Sequence, residues 1–542
     1  MGLMKLVHFP VVKKTRNFIL RSKLNWVIFQ ISRKIVSHAR PKENQNPVVF
    51  FNASTRLTGL SQNAAFSMIS SWALQLAGVP VIHFACRAGM SHCVLGTTRG
   101  NLTDPPPCKK CQADTRRFSK AAPTYWFDSQ QDPDLLKQLE GLRVSDLKRF
   151  THQEKPLGAL VLPSLRWVLR RHNLVDDPLT IYLFREFIIS ANSVMVGFQN
   201  FLEETCPAAV VLYNGLLYPE AAVRFIAQQQ GIRVITHEVG FLPYSAFFTD
   251  ELAPAYPIEI PPGFELSQAK DKIFDSYLEK RFHGDFTMAG IRFWQEMKEL
   301  DQALLEQIQD YDQIVAVFTN VIFDTSQTAA NTVFSDMFDW LDQVLRTTQR
   351  FPNTLFIVRA HPDEMRQGKE SRESVEEWAK NYQIDQMENV LFIGPDEPLS
   401  SYELIRKSKF VMVYNSSIGL EASLLGVPVL CGGRARYTQY PTVFFPDSRH
   451  KFLEKAEDMI KADLIEVPPQ FLRNARRFLY YQLFKVSIPF GKFINGYQNS
   501  GYVKLKRFPW RELYPEGSAT IQTIMNGILH EKEFVMKDRF EI

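Results

Sequence analysis

A chain of 542 residues is too long for one hydrophobic core and is expected to form two or three domains. Its 45% hydrophobic and 22% charged residues are those of a folded soluble protein. The net charge of +5 is local: residues 1–42 hold ten Lys or Arg and no acid, leaving 53 basic against 58 acidic residues, a balance that excludes a nucleic-acid-binding body. No apolar run reaches the roughly 18 residues of a membrane span, and the N-terminus lacks the pattern of a signal peptide. Six cysteines do not make a secreted disulfide framework, so a cytoplasmic location is expected.

Residues 11–39 read as an amphipathic helix. Leu24, Val27, Ile28, Ile31 and Ile35 share one face, Trp26 and Phe29 flank it, and Lys13, Lys14, Arg16, Arg21, Lys23, Arg33 and Lys34 supply charge. Such an arm, residues 1–42, can lie on an anionic membrane surface, each nearby basic residue contributing up to about 1 kcal/mol. The alternative is a helix packed on the protein's own surface. After a polar linker, strand 48–51, helix 62–77 and strand 79–84 form a βαβ unit, placing the 54–59 loop at the carboxyl edge of a first Rossmann-like sheet. That loop is either a phosphate-holding element or a plain βα turn.

Cys86, Cys93, Cys108 and Cys111 cluster as C-x6-C-x14-C-x2-C. Thiolates so spaced can hold one tetrahedral metal ion. A structural zinc, four reduced thiols and redox chemistry all stay open, and nothing marks a catalytic cysteine. Residues 125–205 read as mostly helical. Asp132-Pro133-Asp134 matches a metal-binding Asp-x-Asp pattern that is common by chance, and we set it aside. Strand 208–213 ends at Asn214-Gly215, helix 219–230 follows, and strand 233–236 ends at His237-Glu238-Val239-Gly240. Either His237 or Glu238 could act as a base on an acceptor hydroxyl there.

A proline-rich connector, 250–262, leads through helical sequence into a second alternating series. Strands 314–318, 354–358, 390–393 and 409–414 are separated by helices 329–347, 371–382 and 400–407. The first strand ends at Thr319-Asn320, with Asp324 just beyond. The second runs into Arg359-Ala360-His361-Pro362. The last runs into Asn415-Ser416-Ser417, then a helix 418–425 and a strand 427–430. Capping hydroxyls, helix amides, a cation and an imidazole at the carboxyl edge of a parallel sheet suit an anion and suggest a nucleotide-sugar site. Arg434 and Arg436 lie near the same edge. Residues 467–489 read as a long helix crossing back to the first domain.

The stretches RAHPDE (359–364) and YNSSIGLEASLLGVPVL (414–430) resemble the capsule polysaccharide biosynthesis family, which includes Kdo transferases, and the His-Pro and Ser-Ser motifs of GT-B bacterial sialyltransferases. The resemblance implies an α/β fold: two Rossmann-like domains in a GT-B arrangement, with an N-terminal basic helix and a C-terminal bracing helix. Residues 43–265 would form the acceptor domain, 266–460 the nucleotide-sugar domain, and 461–542 helices returning to the first. It implies a glycosyltransferase using a nucleotide-sugar donor, a CMP-sugar favoured, on a glycan or lipid-linked acceptor, with no cofactor for catalysis. His361 would bind the donor phosphate and assist its departure. Ser416 and Ser417 would hold the same phosphate, with Arg359, Pro362, Asn415, Gly419 and Asn320 around it, and Glu421 would face the ribose or base. The membrane partner of the arm would then be the inner face of the plasma membrane. Two other readings share the pattern: a nucleotide-sugar epimerase, and a non-catalytic module that docks assembly enzymes on the membrane.

Overall fold

The computed structural model describes residues 10–52, 59–97, 100–283, 298–366, 370–496 and 501–537, with backbone only for 10–21 and 23. The expected 54–59 loop falls almost wholly outside them. Six strands open the first domain: β1 Val48–Phe51, β2 Val81–Cys86, β3 Thr124–Phe127, β4 Ala209–Tyr213, β5 Arg233–Val239 and β6 Ser245–Thr249. The second sheet holds β7 Gln313–Phe318, β8 Thr354–Arg359, β9 Val390–Ile393, β10 Phe410–Val413 and β11 Val429–Cys431. After it come β12 Ile488–Pro489, β13 Ile494–Gly496 and β14 Val503–Leu505.

The first sheet has the order β12-β6-β5-β4-β1-β2-β3, parallel from β3 to β5, with β6 and β12 antiparallel at one edge. The second is wholly parallel, β11-β10-β7-β8-β9. Both reverse strand order beside their first strand, which opens a crevice at the carboxyl ends of β1 and β4 and of β7 and β10. Both are covered on two faces, which is why their strands are almost continuously apolar. On β1, Val49 and Phe51 enter one core with the helices Leu157–Leu169 and Pro178–Thr205. Val48 and Phe50 enter another with the helices Gln62–Leu76 and Ala519–His530. On β7, Val315 and Val317 pack beneath Trp340, and Ile314, Ala316 and Phe318 pack on the opposite face.

Several expectations change. The helix Pro10–His38 forms, but Val27, Ile28, Ile31 and Ile35 are buried in the first domain's core, so its described apolar face is covered by protein rather than offered to a membrane. Trp26 and Phe29 are capped by Arg507 and Lys120, 4.9 and 4.4 Å from their ring centres. The helix Pro178–Thr205 is long and apolar enough to cross a membrane by length and composition, yet Leu183, Phe184, Phe187 and Ile188 lie in the core. The long C-terminal helix stops at Tyr480 and packs Ala475 and Phe478 on the second domain. The return to the first domain is made by β12 and by the helix Ala519–His530.

The two domains meet at named contacts. Arg170 Nη1 bonds Glu370 Oε2 at 3.0 Å, and Glu373 Oε2 accepts the amides of His172 and Asn173 at 2.8 and 3.0 Å. On the other side Tyr440 Oη bonds the backbone of Ile260 and Ile258 at 2.7 and 3.0 Å.

Candidate active site

The crevice of the second sheet opens into a cleft of about 200 Å³. Asn320, Asp324, His361, Asn415, Ser416, Ser417 and Arg436 line it, and Trp167 closes it from the first domain. These residues converge because each follows a strand at the carboxyl edge. Asn320 and Asn415 stand at the ends of β7 and β10, the switch-point pair, and Asn320 Nδ2 donates to Asn415 Oδ1. Gln327 Nε2 donates to the same oxygen at 3.0 Å.

His361 follows β8 and caps a 3-10 turn, Pro362–Met365: its Nδ1 accepts the Asp363 amide at 3.1 Å. A ring that accepts at Nδ1 carries its proton on Nε2. Burial lowers its pKa, opposed by Asp363 and Asp324, so the ring is a neutral donor. Ser417 occupies the N-cap position of the helix Ile418–Leu424 but makes no side-chain cap bond. No hydrogen bond of either serine hydroxyl is made among the described residues. Arg436 is held by rings, 4.6 Å from the Phe241 centre and 5.1 Å from that of Tyr256. Burial lowers its pKa, with Tyr256 and Asp324 pulling the other way. A cation that is desolvated and stacked, with no carboxylate in contact among the described residues, suits an incoming anion.

Glu238 belongs to the first domain, outside the cleft's lining but within the field of Asp324. Its Oε1 accepts from Asn63 Nδ2 at 3.0 Å and from the Val239 amide at 2.8 Å, and Oε2 accepts from Asn214 Nδ2 at 3.0 Å. Burial raises its pKa against these three donors, and the field of Asp324 adds to the rise. A carboxylate oriented by three donors and raised above its ordinary range is a candidate for proton transfer.

Other expected site residues turn elsewhere. His237, one residue from Glu238, is 1% exposed, packs against Phe248 and is hydrogen-bonded to Asn63 Oδ1 at 3.2 Å. The Asn63 amide thus bridges the two candidate bases, with His237 the one buried in the core. Arg359 is 3% exposed and donates from Nη2 to the carbonyls of Glu397 and Leu399 at 3.1 and 2.8 Å, away from the cleft; burial pulls its pKa down to about 10. Glu421 does not line the cleft either: its carboxylate pairs with Arg281 Nη2 at 2.6 Å and accepts from Tyr402 Oη. Gly419 is required by packing, since a Cβ there would stand 2.3 Å from Tyr437 Oη. Pro362 starts the 3-10 turn and Arg434 is exposed. Asp132, set aside as a metal ligand, caps the helix Pro133–Gln138 and pairs with His152 at 2.9 Å. Trp167, Asn63 and Tyr256 were not read as site residues, because they come from a helix interior, a helix's first turn and the connector.

Fold and site define an α/β protein of two Rossmann-like domains in a GT-B-like arrangement, with a polar cleft at the second switch point. Residues 275–441 match the family model described as "Capsule polysaccharide biosynthesis protein". The match contains both motifs that carried the resemblance and bears it out. No curated protein matches the chain by sequence. Among solved structures it is similar to a KpsC beta Kdo 2,4 transferase of Thermosulfurimonas dismutans, at 13% identity and a TM-score of 0.35, over 52% of this chain and 80% of that one. It is also similar to a UDP-GlcNAc 2-epimerase from Neisseria meningitidis bound to UDP-GlcNAc, at 12% identity and a TM-score of 0.24, over 80% and 98%. Sucrose-phosphate synthase from Thermosynechococcus elongatus gives 11% identity and a TM-score of 0.27, over 81% and 95%. Values this low carry no argument about activity.

Proposed function

We propose that the protein is a glycosyltransferase of capsule-type polysaccharide biosynthesis, moving a sugar from a nucleotide-activated donor, a CMP-sugar favoured, to a hydroxyl of a glycan or lipid-linked acceptor. The observation that carries this reading is the cleft itself: His361, Ser416, Ser417 and Arg436 line one space, and Glu238 of the other domain lies within the field of Asp324, which lines it too. The donor phosphate lies among these four groups. As the bond from the anomeric carbon to the phosphate oxygen breaks, negative charge grows on that oxygen. The Nε2 proton of His361, the two hydroxyls and the Arg436 guanidinium stabilise it, and one such preorganised donor can contribute about 3–4 kcal/mol. Glu238 takes the proton of the acceptor hydroxyl as that oxygen bonds to the anomeric carbon.

The test is transfer of labelled sugar from candidate CMP-, UDP- and GDP-sugars to capsule oligosaccharide. Wild type should extend the acceptor, and His361→Ala should lose transfer while keeping the wild-type melting temperature. Full activity in that variant, or conversion of the nucleotide-sugar without any acceptor, sinks the assignment; the latter outcome would mark an epimerase.

A further inference from the structure

Away from the cleft, the segment after β2 draws four thiols together. Cys86 ends β2, Cys93 lies in the following loop, and Cys108 and Cys111 open the helix Cys108–Phe118. With Ala88, Met90 and Pro106 they line one cavity of about 20 Å³. None of the four is in a disulfide. Cys108 and Cys111, three residues apart on a helix, share one face.

The backbone is arranged around the sulfurs. The Gly89 amide donates to Cys86 Sγ at 3.1 Å. The Gly96 amide donates to the Cys93 carbonyl at 3.1 Å, closing a turn that brings the Gly96 backbone against the Cys93 sulfur. Gly96 can be nothing larger, since a Cβ there would stand 2.5 Å from Cys93 Sγ and 2.9 Å from Pro106 Cβ. The amide on Cys86 favours thiolate, but burial and the neighbouring thiols push the Cys86 and Cys93 thiols up, so the group does not hold four negative charges unaided. Four thiolates around one small space would repel each other, and a divalent cation at their centre removes that repulsion.

We propose that Cys86, Cys93, Cys108 and Cys111 hold one zinc ion as four thiolates, fastening the carboxyl end of β2 to the first turn of the helix Cys108–Phe118. The size of the space selects a single ion over an iron–sulfur cluster, since about 10–15 Å³ already accommodates one water-sized sphere. As the side chains stand, no three His, Cys, Asp or Glu among the described residues are at metal-holding geometry. Closure therefore requires rotation about Cα–Cβ bonds, and the half-buried Cys108 and Cys111 are the two placed to make it. The ion would add to the packing of Met90, Val94 and Leu102, which already anchor the loop in the first domain's core. Residues 86–97 are tied to the helix Pro178–Thr205 through Ser91–Ser190 (3.0 Å) and Ser193–Gly89 O (2.9 Å).

Elemental analysis of the protein purified without added metal should give one zinc per chain, and C108S/C111S should give almost none. Should that variant fail to fold, the wild-type protein suffices. Exchange with Co²⁺ should give the intense thiolate-to-cobalt absorption of a tetrahedral four-sulfur site, and a thiol reagent should reach the four cysteines only after chelation. Wild-type protein that carries no metal, takes up neither Zn²⁺ nor Co²⁺ with its thiols reduced, or contains iron with acid-labile sulfide, overturns the proposal.

Discussion

Replacing Gly419 with Ala tests how the serine turn is held. The new Cβ would stand 2.3 Å from Tyr437 Oη and 2.9 Å from Val413 Cγ2, where ordinary contact begins at 3.4 Å. Tyr437 is 1% exposed, and its hydroxyl donates to the carbonyl of Ser416 at 2.8 Å. The hydroxyl must retreat by about 1 Å, which stretches that bond beyond hydrogen-bonding range. Orphaning the buried donor costs about 1–3 kcal/mol, and overpacking adds about 1–3 kcal/mol. A loss of about 2–5 kcal/mol corresponds to a fall in melting temperature of roughly 5–15 °C for a unit of this size. Because Ser416 moves with its carbonyl, nucleotide affinity should fall as well. Gly419→Ala combined with Tyr437→Phe removes the obstructing oxygen, so the double variant should melt above the single one. Thermal unfolding followed by circular dichroism reads both. A single variant that melts like wild type, or a double variant that melts below it, would refute the reasoning.

Glu238→Gln keeps the shape of the side chain but cannot accept a proton, so turnover should fall by about 10²–10⁴ with donor affinity retained; unchanged turnover in a transfer assay removes Glu238 as the base. Arg281→Met strands the Glu421 carboxylate, which is 5% exposed, and should cost about 3–5 kcal/mol in denaturant unfolding. Glu364 is wholly buried, its carboxyl accepts the Val375 amide, and burial raises its pKa to about 8. It stays protonated in the folded protein at pH values where the unfolded chain has ionised. Its stabilising contribution is therefore full below the ordinary carboxylate range and is lost at up to about 1.4 kcal/mol per unit as pH rises towards 8. Glu364→Gln should flatten that slope between pH 5 and 8, and an unchanged slope would assign it to other groups.

The parallel strands were the most legible elements, because burial on both faces writes them as apolar runs, as in Val48–Phe51 and Phe410–Val413. The short strands β3 and β6 were hidden, one at the start of a stretch read as helical and the other as an antiparallel edge between His237-Glu238-Val239-Gly240 and the connector, where no element was read. Site residues directly after strands were also legible: His361, Asn320, Asn415, Ser416 and Ser417 all reach the cleft. Side-chain direction was not. Arg359 lies beside the motif histidine yet turns to carbonyls of the loop after β9, and Glu421 is claimed by Arg281, 140 residues away in sequence. Such partners are fixed by tertiary packing, which spacing along one segment does not encode.

Titration calorimetry of CMP, UDP and GDP against wild type, Arg436→Gln and His361→Ala addresses the anion cleft most directly. The account predicts binding of the preferred nucleotide, CMP by the resemblance, weakened at least tenfold in each variant, about 1.4 kcal/mol or more, with melting temperatures unchanged. Equal affinity in all three proteins, or no nucleotide binding by wild type, would contradict it.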